Sequence, residues 1–476
     1  MTAFPSTVTD LLASYRRGDI TPPEAVDLTL ARIDALEPHL NAVTEIDRKG
    51  AKAAATAALE RWHMGDVRPL EGVPMTVKDL VAAAGFTTGE GSLTSSQLAS
   101  LVDSPPAARL RDAGAIIVAK TTTPEFGWKG MTDSPAHGVT RSPWNLDHSP
   151  GGSSGGAGAT LAAGIAAAAH GNDGGGSIRI PASYCGLVGL KPTFGRVPQA
   201  GTSPYVTLSA NGALTRSVAD TALLLNVMSK PDIRDWHALP YDSRDWRVGI
   251  NDGLAGLRIG YTDTLGGAST DPEVARICRA VMDRISLDHV PITELGTVVD
   301  PLRPQFEDYW KAGFANRLRT IPVERHDDLD PGFRELAEAG LSVGVEAIDT
   351  AYAARAQLAI DLRRVHHDVD LLVTPTMPTL APKASVVYHT AEFDRWEHAV
   401  PFTVPFNLTG QPAASIPVGV SASGLPVGLQ LIATHQREDL ILRAARAILD
   451  ILEWQWPHPV LAPRINDLMA STPAEG

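Results

Sequence analysis

The chain has 476 residues, enough for a large hydrophobic core and more than one small domain needs. Apolar residues make up 44% of it and charged residues 20%, a composition typical of soluble globular proteins. The formal net charge of −13 argues against nucleic acid or an anionic membrane as a partner, because both bind surfaces rich in Lys and Arg. These numbers predict a globular protein but do not identify its substrate.

Cysteines and apolar stretches narrow the class further. Cys185 and Cys278 are the only cysteines, so the sequence offers no disulfide framework and no CxxC metal or redox site. The amino-terminal residues lack a basic stretch followed by an apolar run, and no stretch approaches 18 uninterrupted apolar residues. The most apolar stretch, Ala159–Ala169, favours a buried core helix. We therefore expect a cytoplasmic protein without a membrane anchor, either a monomer or a homodimer.

The first part of the chain, residues 6–60, is predicted to be helical. Thr21 precedes two prolines and Glu24, which is a capping box with proline at the first helical position. Apolar residues then recur every three or four positions from Val26 to Leu36, the spacing of one face of an amphipathic helix.

Strands and helices alternate along most of the remaining chain, which indicates an α/β fold with a mixed sheet. Short apolar runs bounded by Gly or Pro predict strands at 73–77, 115–119, 257–261, 369–374, 413–418 and 427–432. Apolar periodicity predicts helices at 271–285, 345–367 and 438–452. Residues 225–256 are predicted to be a surface excursion, and the charged residues 300–345 to be irregular.

The segment 149–181 is predicted to hold the catalytic residues, because it contains two glycine clusters with a serine in or next to each. Gly174, Gly175 and Gly176 stand directly before Ser177, so consecutive backbone N–H groups are unobstructed by side chains. Such a run can converge on one oxygen atom, as an oxyanion hole requires. Ser177 is then placed to attack the carbonyl carbon whose oxygen the hole binds.

A serine hydroxyl needs a base to take its proton, and the residues alone leave two solutions open. The run GGSSG at 151–155 fits the G-x-S-x-G nucleophile elbow, which would make Ser153 the nucleophile of a Ser-His-Asp α/β-hydrolase with esterase activity. An elbow serine follows a strongly apolar strand, however, whereas the polar run WNLDHSP precedes this one. This context favours Ser177.

Longer motifs around both serines closely resemble those of the amidase signature family. The runs GGSSGG and DGGGSIRIP are accompanied, in the family's order, by GVPMTVKD (72–79), AKTTTPEF (119–126), SPWN (142–145), CGLVGLKPTFGRV (185–197), GALTRSVAD (212–220) and PFNLTGQPAASIP (405–417). The resemblance covers most of the chain. It implies one large α/β body with a central mixed, twisted sheet covered by helices on both faces.

Within that body we expect three intertwined parts. Residues 1–65 form a helical region packed on the core, 66–225 hold the catalytic residues, and 226–476 complete the α/β core with irregular insertions at the substrate pocket.

The resemblance also implies a hydrolase of amide-type bonds that uses neither a metal nor an organic cofactor. Ser177 matches the nucleophile, Ser153 the bridging serine next to a cis peptide bond, and Lys78 the general base. The backbone from Gly174 to Ser177 matches the oxyanion hole. A lysine acts as a base only when neutral, and burial among apolar residues, here Val73, Pro74, Met75 and Val77, would lower its pKa.

Supporting and substrate-binding positions follow from the same resemblance. Ser154, Asp173 and Arg179 match supporting polar positions, while Gly127 and Trp128 match the acyl pocket. Met131 and the aromatic residues Phe393, Trp396, Phe402 and Phe406 are candidates for the pocket or for the core. Gly174 departs from the aliphatic or threonine-like residue frequent in relatives, which leaves the acyl preference open.

Three hypotheses about the function remain at this point. The runs at 344–379 and 393–411 resemble freestanding amidases more than the A-type subunit of a tRNA-dependent amidotransferase. We expect hydrolysis of a small substrate, an aryl amide or a carbamate, with ester cleavage as a side reaction. A catalytically inactive homologue that serves as a binding subunit is the third hypothesis, against which the complete set of Lys78, Ser153 and Ser177 counts.

Overall fold

The structure is a computed structural model that describes residues 7–201, 203, 207–288, 290–299, 303–386 and 399–471. In these ranges, no helix combines the length and the apolar character that crossing a membrane requires.

The described helices, numbered in chain order, are α1 (Val8–Arg17), α2 (Pro22–Leu40), α3 (Arg48–Met64), α4 (Pro105–Asp112), α5 (Gly155–Ala162), α6 (Arg179–Cys185), α7 (Val218–Met228), α8 (Pro272–Asp288), α9 (Arg303–Leu318), α10 (Pro331–Gly340), α11 (Val345–Asp368), α12 (Val404–Leu408), α13 (Glu438–Ile451) and α14 (Leu461–Ser471). Short 3-10 helices lie at Glu125–Gly127, Leu265–Gly267 and Val323–Asp328. The described strands are β1 (Val43–Ile46), β2 (Pro74–Lys78), β3 (Ile116–Thr121), β4 (Asp133–Ser134), β5 (Gly138–Val139), β6 (Ala168–Asp173), β7 (Val188–Lys191), β8 (Ala210–Thr215), β9 (Ile259–Tyr261), β10 (Ile292–Glu294), β11 (Leu371–Pro375), β12 (Ala413–Val420) and β13 (Pro426–Ala433).

One mixed sheet organises the described residues. Its eleven strands lie in the order β1-β3-β2-β6-β8-β7-β12-β13-β11-β9-β10, while β4 and β5 form a separate hairpin. β2 runs parallel to both neighbours, β3 and β6, whereas β8, β7, β12 and β13 pair antiparallel with one another. Helices flank the sheet, which confirms the predicted α/β class. The sheet takes strands from all three predicted parts, and their boundaries at 65 and 225 stay a prediction.

Two parallel strands bring polar side chains to the same edge of this sheet. β2 is buried at every position, and β6, which begins with two alanines, is buried at every position but Asn172. Val77 pairs with His170, so Lys78 at the end of β2 lies beside the end of β6. Because the carboxyl ends of parallel strands meet at one edge, the glycine loop after β6 opens next to Lys78.

The interpretation of Ala159–Ala169 as one helix was wrong. α5 ends at Ala162, and β6 begins at Ala168 after a turn at Gly164, whose φ is +73°. The alanines at 168 and 169 pair with β2 on one side, and 169 with β8 on the other. Pairing within the sheet therefore overrides the helix propensity of alanine.

The prediction that residues 300–345 are irregular was also wrong, since α9 and α10 lie there. Phe306, Trp310 and Phe314 are spaced four apart and are buried on one face of α9. That spacing is the helical signal, and the many charged residues around it hid it. Paired strands at 413–420 and 426–433, and helices at 345–368 and 438–451, confirm the predictions for those segments.

Candidate active site

Lys78 is fully buried at the carboxyl end of β2, and its ammonium nitrogen lies between two polar side chains. Lys78 Nζ is 2.7 Å from Ser153 Oγ and 2.7 Å from Asn172 Oδ1. Burial holds the pKa of Lys78 well below its ordinary value, although the negative charge of Asp173 acts in the opposite direction. The side chain is therefore poised to be neutral, as a proton acceptor must be.

Ser153 reaches this position from a loop that packs tightly against another backbone segment. The peptide bond between Gly152 and Ser153 is cis, as the sequence resemblance implied. A Cβ atom on Gly152 would lie 2.6 Å from the carbonyl carbon and oxygen of Met131, so only glycine fits. The N–H of Ser154 donates to the carbonyl oxygen of Ser177 at 3.2 Å, which joins the two serine-bearing loops.

The glycine loop between β6 and Ser177 is fixed from both ends. Gly176 has a φ of +133°, and its N–H donates to Asp173 Oδ1 at 2.7 Å. Thr403 Oγ1 donates to the carbonyl oxygen of Gly175 at 2.6 Å. In the described part of the chain, the N–H groups of Gly174, Gly175 and Ser177 have no hydrogen-bond acceptor. Three of the four predicted oxyanion-hole donors are thus available, whereas that of Gly176 is engaged by Asp173.

Asp173 and Arg179 form a buried ion pair beneath this loop. Arg179 Nε donates to Asp173 Oδ2 and Arg179 Nη2 to Asp173 Oδ1, both at 2.9 Å, and neither side chain is exposed. The N–H groups of Gly176 and Ile178 and the Nδ2 of Asn407 also donate to the carboxylate. The loop from Asp173 to Arg179 is thereby held in one conformation around a single carboxylate.

Electrostatics keep that carboxylate ionised although it is buried. Burial favours the protonated form of Asp173, but the Arg179 guanidinium, the charge of Lys191 and the Asn407 amide together overcome it and hold the pKa of Asp173 below its ordinary value. Arg179 in turn donates to the Thr403 carbonyl oxygen at 2.9 Å and to Gln430 Oε1 at 2.7 Å. The pair therefore connects the glycine loop to the start of α12 and to β13.

Comparison with known proteins identifies the family of the chain. Residues 24–442 match the amidase family. The chain belongs to the amidase family. It is a hydrolase that acts on amides.

Two relatives and one solved structure illustrate the range of the similarity. The amidase is 33% identical over 470 residues to an acylamidase of Rhodococcus erythropolis, covering 94% of this chain and 95% of the relative. It is 34% identical over 480 residues to the A-type subunit of the glutamyl-tRNA(Gln) amidotransferase from Roseiflexus sp. (strain RS-1), covering 96% and 98%. The crystal structure of a bacterial aryl acylamidase superposes with a TM-score of 0.87 at 26% identity, covering 98% of this chain and 99% of that one.

The alternative of a Ser-His-Asp hydrolase, with Ser153 as nucleophile, does not survive these findings. Ser153 contacts Lys78 rather than a histidine, and no histidine of the described residues hydrogen-bonds to Ser153 or Ser177. The segment before it is a loop after β5 and not a buried strand. The G-x-S-x-G pattern therefore belongs to the GGSSGG motif of this amidase and does not mark a nucleophile elbow.

The predicted substrate-binding residues lie on a tightly packed loop after β3. Gly127, Trp128 and Met131 are all buried, and the carbonyl oxygen of Trp128 accepts a hydrogen bond of 2.9 Å from Trp310 Nε1 on α9. Trp128 also packs against Gly332 on α10. Trp128 is a member of a larger buried apolar cluster, whose aromatic residues are Phe126, Trp128, Tyr184, Phe306, Trp310, Phe314, Phe333, Phe402 and Phe406. Trp128 thus belongs to this core cluster, as do Phe402 and Phe406, whereas Phe393 and Trp396 lie outside the described residues.

Sequence reasoning missed the polar residues that hold the site from a distance. Asn172 was not singled out, although it contacts Lys78 and stands next to Asp173 in the chain. Thr403, Asn407 and Gln430 were likewise missed, because they reach Asp173 or Arg179 from more than 200 residues away. The run containing Thr403 and Asn407 carried a signal, since two polar residues interrupt an otherwise apolar stretch there.

Proposed function

We propose that this amidase cleaves its substrate through an acyl-enzyme on Ser177, with Ser153 as a proton relay and Lys78 as the base. The contact between buried Lys78 Nζ and Ser153 Oγ at 2.7 Å carries this proposal. A lysine in that setting gains little from solvation and has a hydroxyl within reach, which are the requirements for a neutral amine acting as a base. The hydrogen bond between Ser154 and Ser177 supports the relay, because it holds the two serine loops against each other.

The proposed cycle moves one proton back and forth along three side chains. Ser177 Oγ attacks the carbonyl carbon of the substrate and passes its proton to Ser153 Oγ, which passes its own to Lys78 Nζ. The carbonyl oxygen becomes an oxyanion, and the C–N bond breaks as the proton returns through Ser153 to the leaving nitrogen. Water then attacks the ester on Ser177, gives up its proton by the same route, and releases the acid while Ser177 regains its hydrogen.

The oxyanion is assigned to the free backbone donors of the glycine loop. Gly174, Gly175 and Ser177 offer N–H groups without another acceptor among the described residues, and the Asp173–Arg179 pair holds the loop that presents them. Donors fixed in advance are worth about 3–4 kcal/mol each in the transition state, because they need no reorganisation as charge develops. The pair acts by holding this loop and does not itself touch the substrate.

We propose a small aryl amide or aryl carbamate as the substrate. The similarity to an acylamidase and to an aryl acylamidase supports an acylated amine. The loop of Gly127 and Trp128, which matches the acyl pocket, packs into a buried aromatic cluster through Trp128, and this supports an apolar, aromatic-tolerant environment. Ester cleavage is expected as a side reaction, because an alkoxide or phenolate leaves more easily than an amine.

The test uses the wild type, Ser177→Ala and a matched serine variant. Each is incubated with a p-nitroanilide, a p-nitrophenyl ester and a small aryl carbamate in the presence of EDTA. Ser183→Ala serves as the control, because Ser183 is a buried serine on α6 outside the cluster of Lys78, Ser153 and Ser177. We expect turnover by the wild type and by Ser183→Ala, and none by Ser177→Ala. Acid-quenched mass spectra of the wild type should show an acyl adduct on Ser177. Wild-type rates with folded Ser177→Ala would refute the proposal.

A second candidate is an A-type subunit of a glutamine-dependent tRNA amidotransferase, favoured by the 34% identity to such a protein. The same experiment separates the two. Turnover of the small amides by the isolated chain supports the freestanding amidase. No turnover of any of the three by folded protein, together with release of ammonia from glutamine only after partner chains are added, supports the amidotransferase.

A further inference from the structure

Asn172 makes the second polar contact to the Lys78 amine. It lies on β6, one residue before Asp173, and its Oδ1 is 2.7 Å from Lys78 Nζ. Its backbone carbonyl oxygen accepts a hydrogen bond from Ser154 Oγ at 3.3 Å. One residue thus contacts both the lysine and the loop that carries Ser153.

The chemistry of the two groups fixes which of them donates. A carboxamide oxygen is an acceptor only, so Lys78 must supply the hydrogen. A neutral amine has two N–H bonds and one lone pair in a tetrahedral arrangement. Once one N–H bond points at Asn172 Oδ1, rotation about the last C–N bond of the side chain is restricted, and the lone pair is available in the direction of Ser153 Oγ.

We propose that Asn172 is a positioning residue that directs the lone pair of the Lys78 amine towards Ser153. The inference rests on the proposed relay through Ser153 and adds the residue that orients it. The same carboxamide oxygen serves after proton transfer, because its dipole points its negative end at the ammonium group and stabilises the charge there. Asn172 therefore orients the base and also sets how readily it holds a proton.

The charged groups around Lys78 are few, which makes a change at Asn172 visible. On β6, Asp173 raises the pKa of Lys78, while His170 is neutral because burial lowers its pKa to about 3. On β3, Lys120 donates to Asp79 Oδ1 at 3.1 Å, so this neighbouring cation is paired with the neighbouring carboxylate. A carboxylate introduced at position 172 would be in direct contact with Lys78 Nζ, as the Asn172 carboxamide is now.

The test compares Asn172→Asp and Asn172→Leu, both close in size to asparagine. The carboxylate of Asn172→Asp stabilises the ammonium form, so the acidic limb of kcat/KM against pH should move to higher pH by about 1–3 pH units. Asn172→Leu removes the dipole, so the limb should move to lower pH while the plateau rate falls at least tenfold because the amine is no longer oriented. These opposite shifts are not expected from a residue that only supports the fold.

Asn211 provides the matched control. It faces Asn172 in the register between β6 and β8, but its Oδ1 contacts His170 Nε2 and not Lys78. Asn211→Ser should keep the wild-type position of the acidic limb. Thermal melts of all variants identify any that do not fold, and if Asn172→Leu is among them, the isosteric Asn172→Asp decides alone.

The outcomes separate this inference from the proposed function. If Ser177→Ala is inactive and the folded variants at position 172 keep the wild-type limb, the role of Asn172 is refuted and the acyl-enzyme stands. If Ser177→Ala keeps wild-type activity, the proposed function itself fails. Opposite shifts of the limb together with an inactive Ser177→Ala establish both.

Discussion

Replacing Arg179 by methionine would remove the larger of the two positive charges that act on the buried Asp173 carboxylate, since Lys191 contributes less. Arg179 bonds both carboxylate oxygens at 2.9 Å and also donates to the Thr403 carbonyl oxygen and to Gln430 Oε1. Methionine fills a similar length of side chain but makes none of these bonds. Because Asp173 also holds the N–H of Gly176, we expect Arg179→Met to lose stability and activity together.

The size of the loss follows from the burial of both partners. Removing one member of a fully buried ion pair costs about 3–5 kcal/mol, a large share of the roughly 5–15 kcal/mol that stabilise a typical folded protein. In the wild type the pKa of Asp173 is below its unfolded value of about 3.9, so the pair contributes stability above that pH and loses it as the pH falls. In Arg179→Met, burial acts on Asp173 without the guanidinium and raises its pKa. The difference between variant and wild type should therefore be largest at neutral pH and shrink towards about pH 4.

The difference in the free energy of unfolding between variant and wild type is measured by denaturant unfolding followed by tryptophan fluorescence. Measurements at about pH 7.5 and about pH 4.5 test whether this difference shrinks as the pH falls. Arg334→Met is the control, because Arg334 likewise makes two bonds to carboxylate oxygens, one to Asp327 and one to Glu338, but lies at the surface. Exposed pairs contribute about 0–1 kcal/mol, so the control should change little. A loss in Arg179→Met below about 1 kcal/mol, or an equal loss at both pH values, would contradict the argument from the buried pair.

Three further changes test the surroundings of the site. Lys78→Met should lower kcat about 10²–10⁴-fold, because the proposed base is lost. Because burial lowers the pKa of Lys78, wild-type kcat/KM should rise with pH and level off below about pH 10. A plateau reached only above that pH would contradict a lowered pKa. Gly152→Ala places a Cβ atom 2.6 Å from backbone atoms of Met131, so we expect destabilisation of about 1–3 kcal/mol and loss of turnover. A thermal-shift assay measures the stability, and an unchanged melting temperature would show that the loop moves to make room for the methyl group. Thr403→Val removes the 2.6 Å bond to the Gly175 carbonyl oxygen and should lower kcat with little change in KM; a rise in KM alone would place Thr403 at the substrate instead.

The candidate catalytic residues could be located in the sequence because they lie in short, continuous motifs. The strand ending at Lys78 is marked by its buried apolar run, and the glycine clusters mark the loops of Ser153 and Ser177. The parallel pairing of β2 with β6 brings Lys78 close to the loop of Ser177, so their proximity despite their separation in sequence follows from one topological rule. The position of the Ser153 loop, which follows no strand of this sheet, does not follow from that rule. The resemblance to a family supplied the roles, which the residues alone left open between Ser153 and Ser177.

Contacts that depend on the packing of distant segments could not be predicted. Whether Asn172 turns its side chain towards Lys78 depends on the register between β2 and β6, and no local pattern encodes that register. The alanines at 168 and 169 have a strong helix propensity, yet they lie in a strand because β2 and β8 pair with β6 on its two sides. In both cases the pairing of β6 with its neighbours decides the local structure.

The same distinction explains why the chemistry is easier to infer than the substrate. The Lys78–Ser153 contact joins the end of β2 to the loop before α5, and both segments are marked by short motifs. The loop of Trp128, in contrast, is shaped by residues far away in the chain. Asp330 accepts from Lys129 Nζ at 3.1 Å, its N–H donates to Glu125 Oε2 at 2.6 Å, and Trp310 Nε1 holds the Trp128 carbonyl oxygen. These partners lie on or beside α9 and α10, in the segment whose charged sequence concealed its helices. The family resemblance assigns the acyl pocket to this loop, so we expect acyl preference to depend on how α9 and α10 pack against it rather than on the serine and lysine motifs.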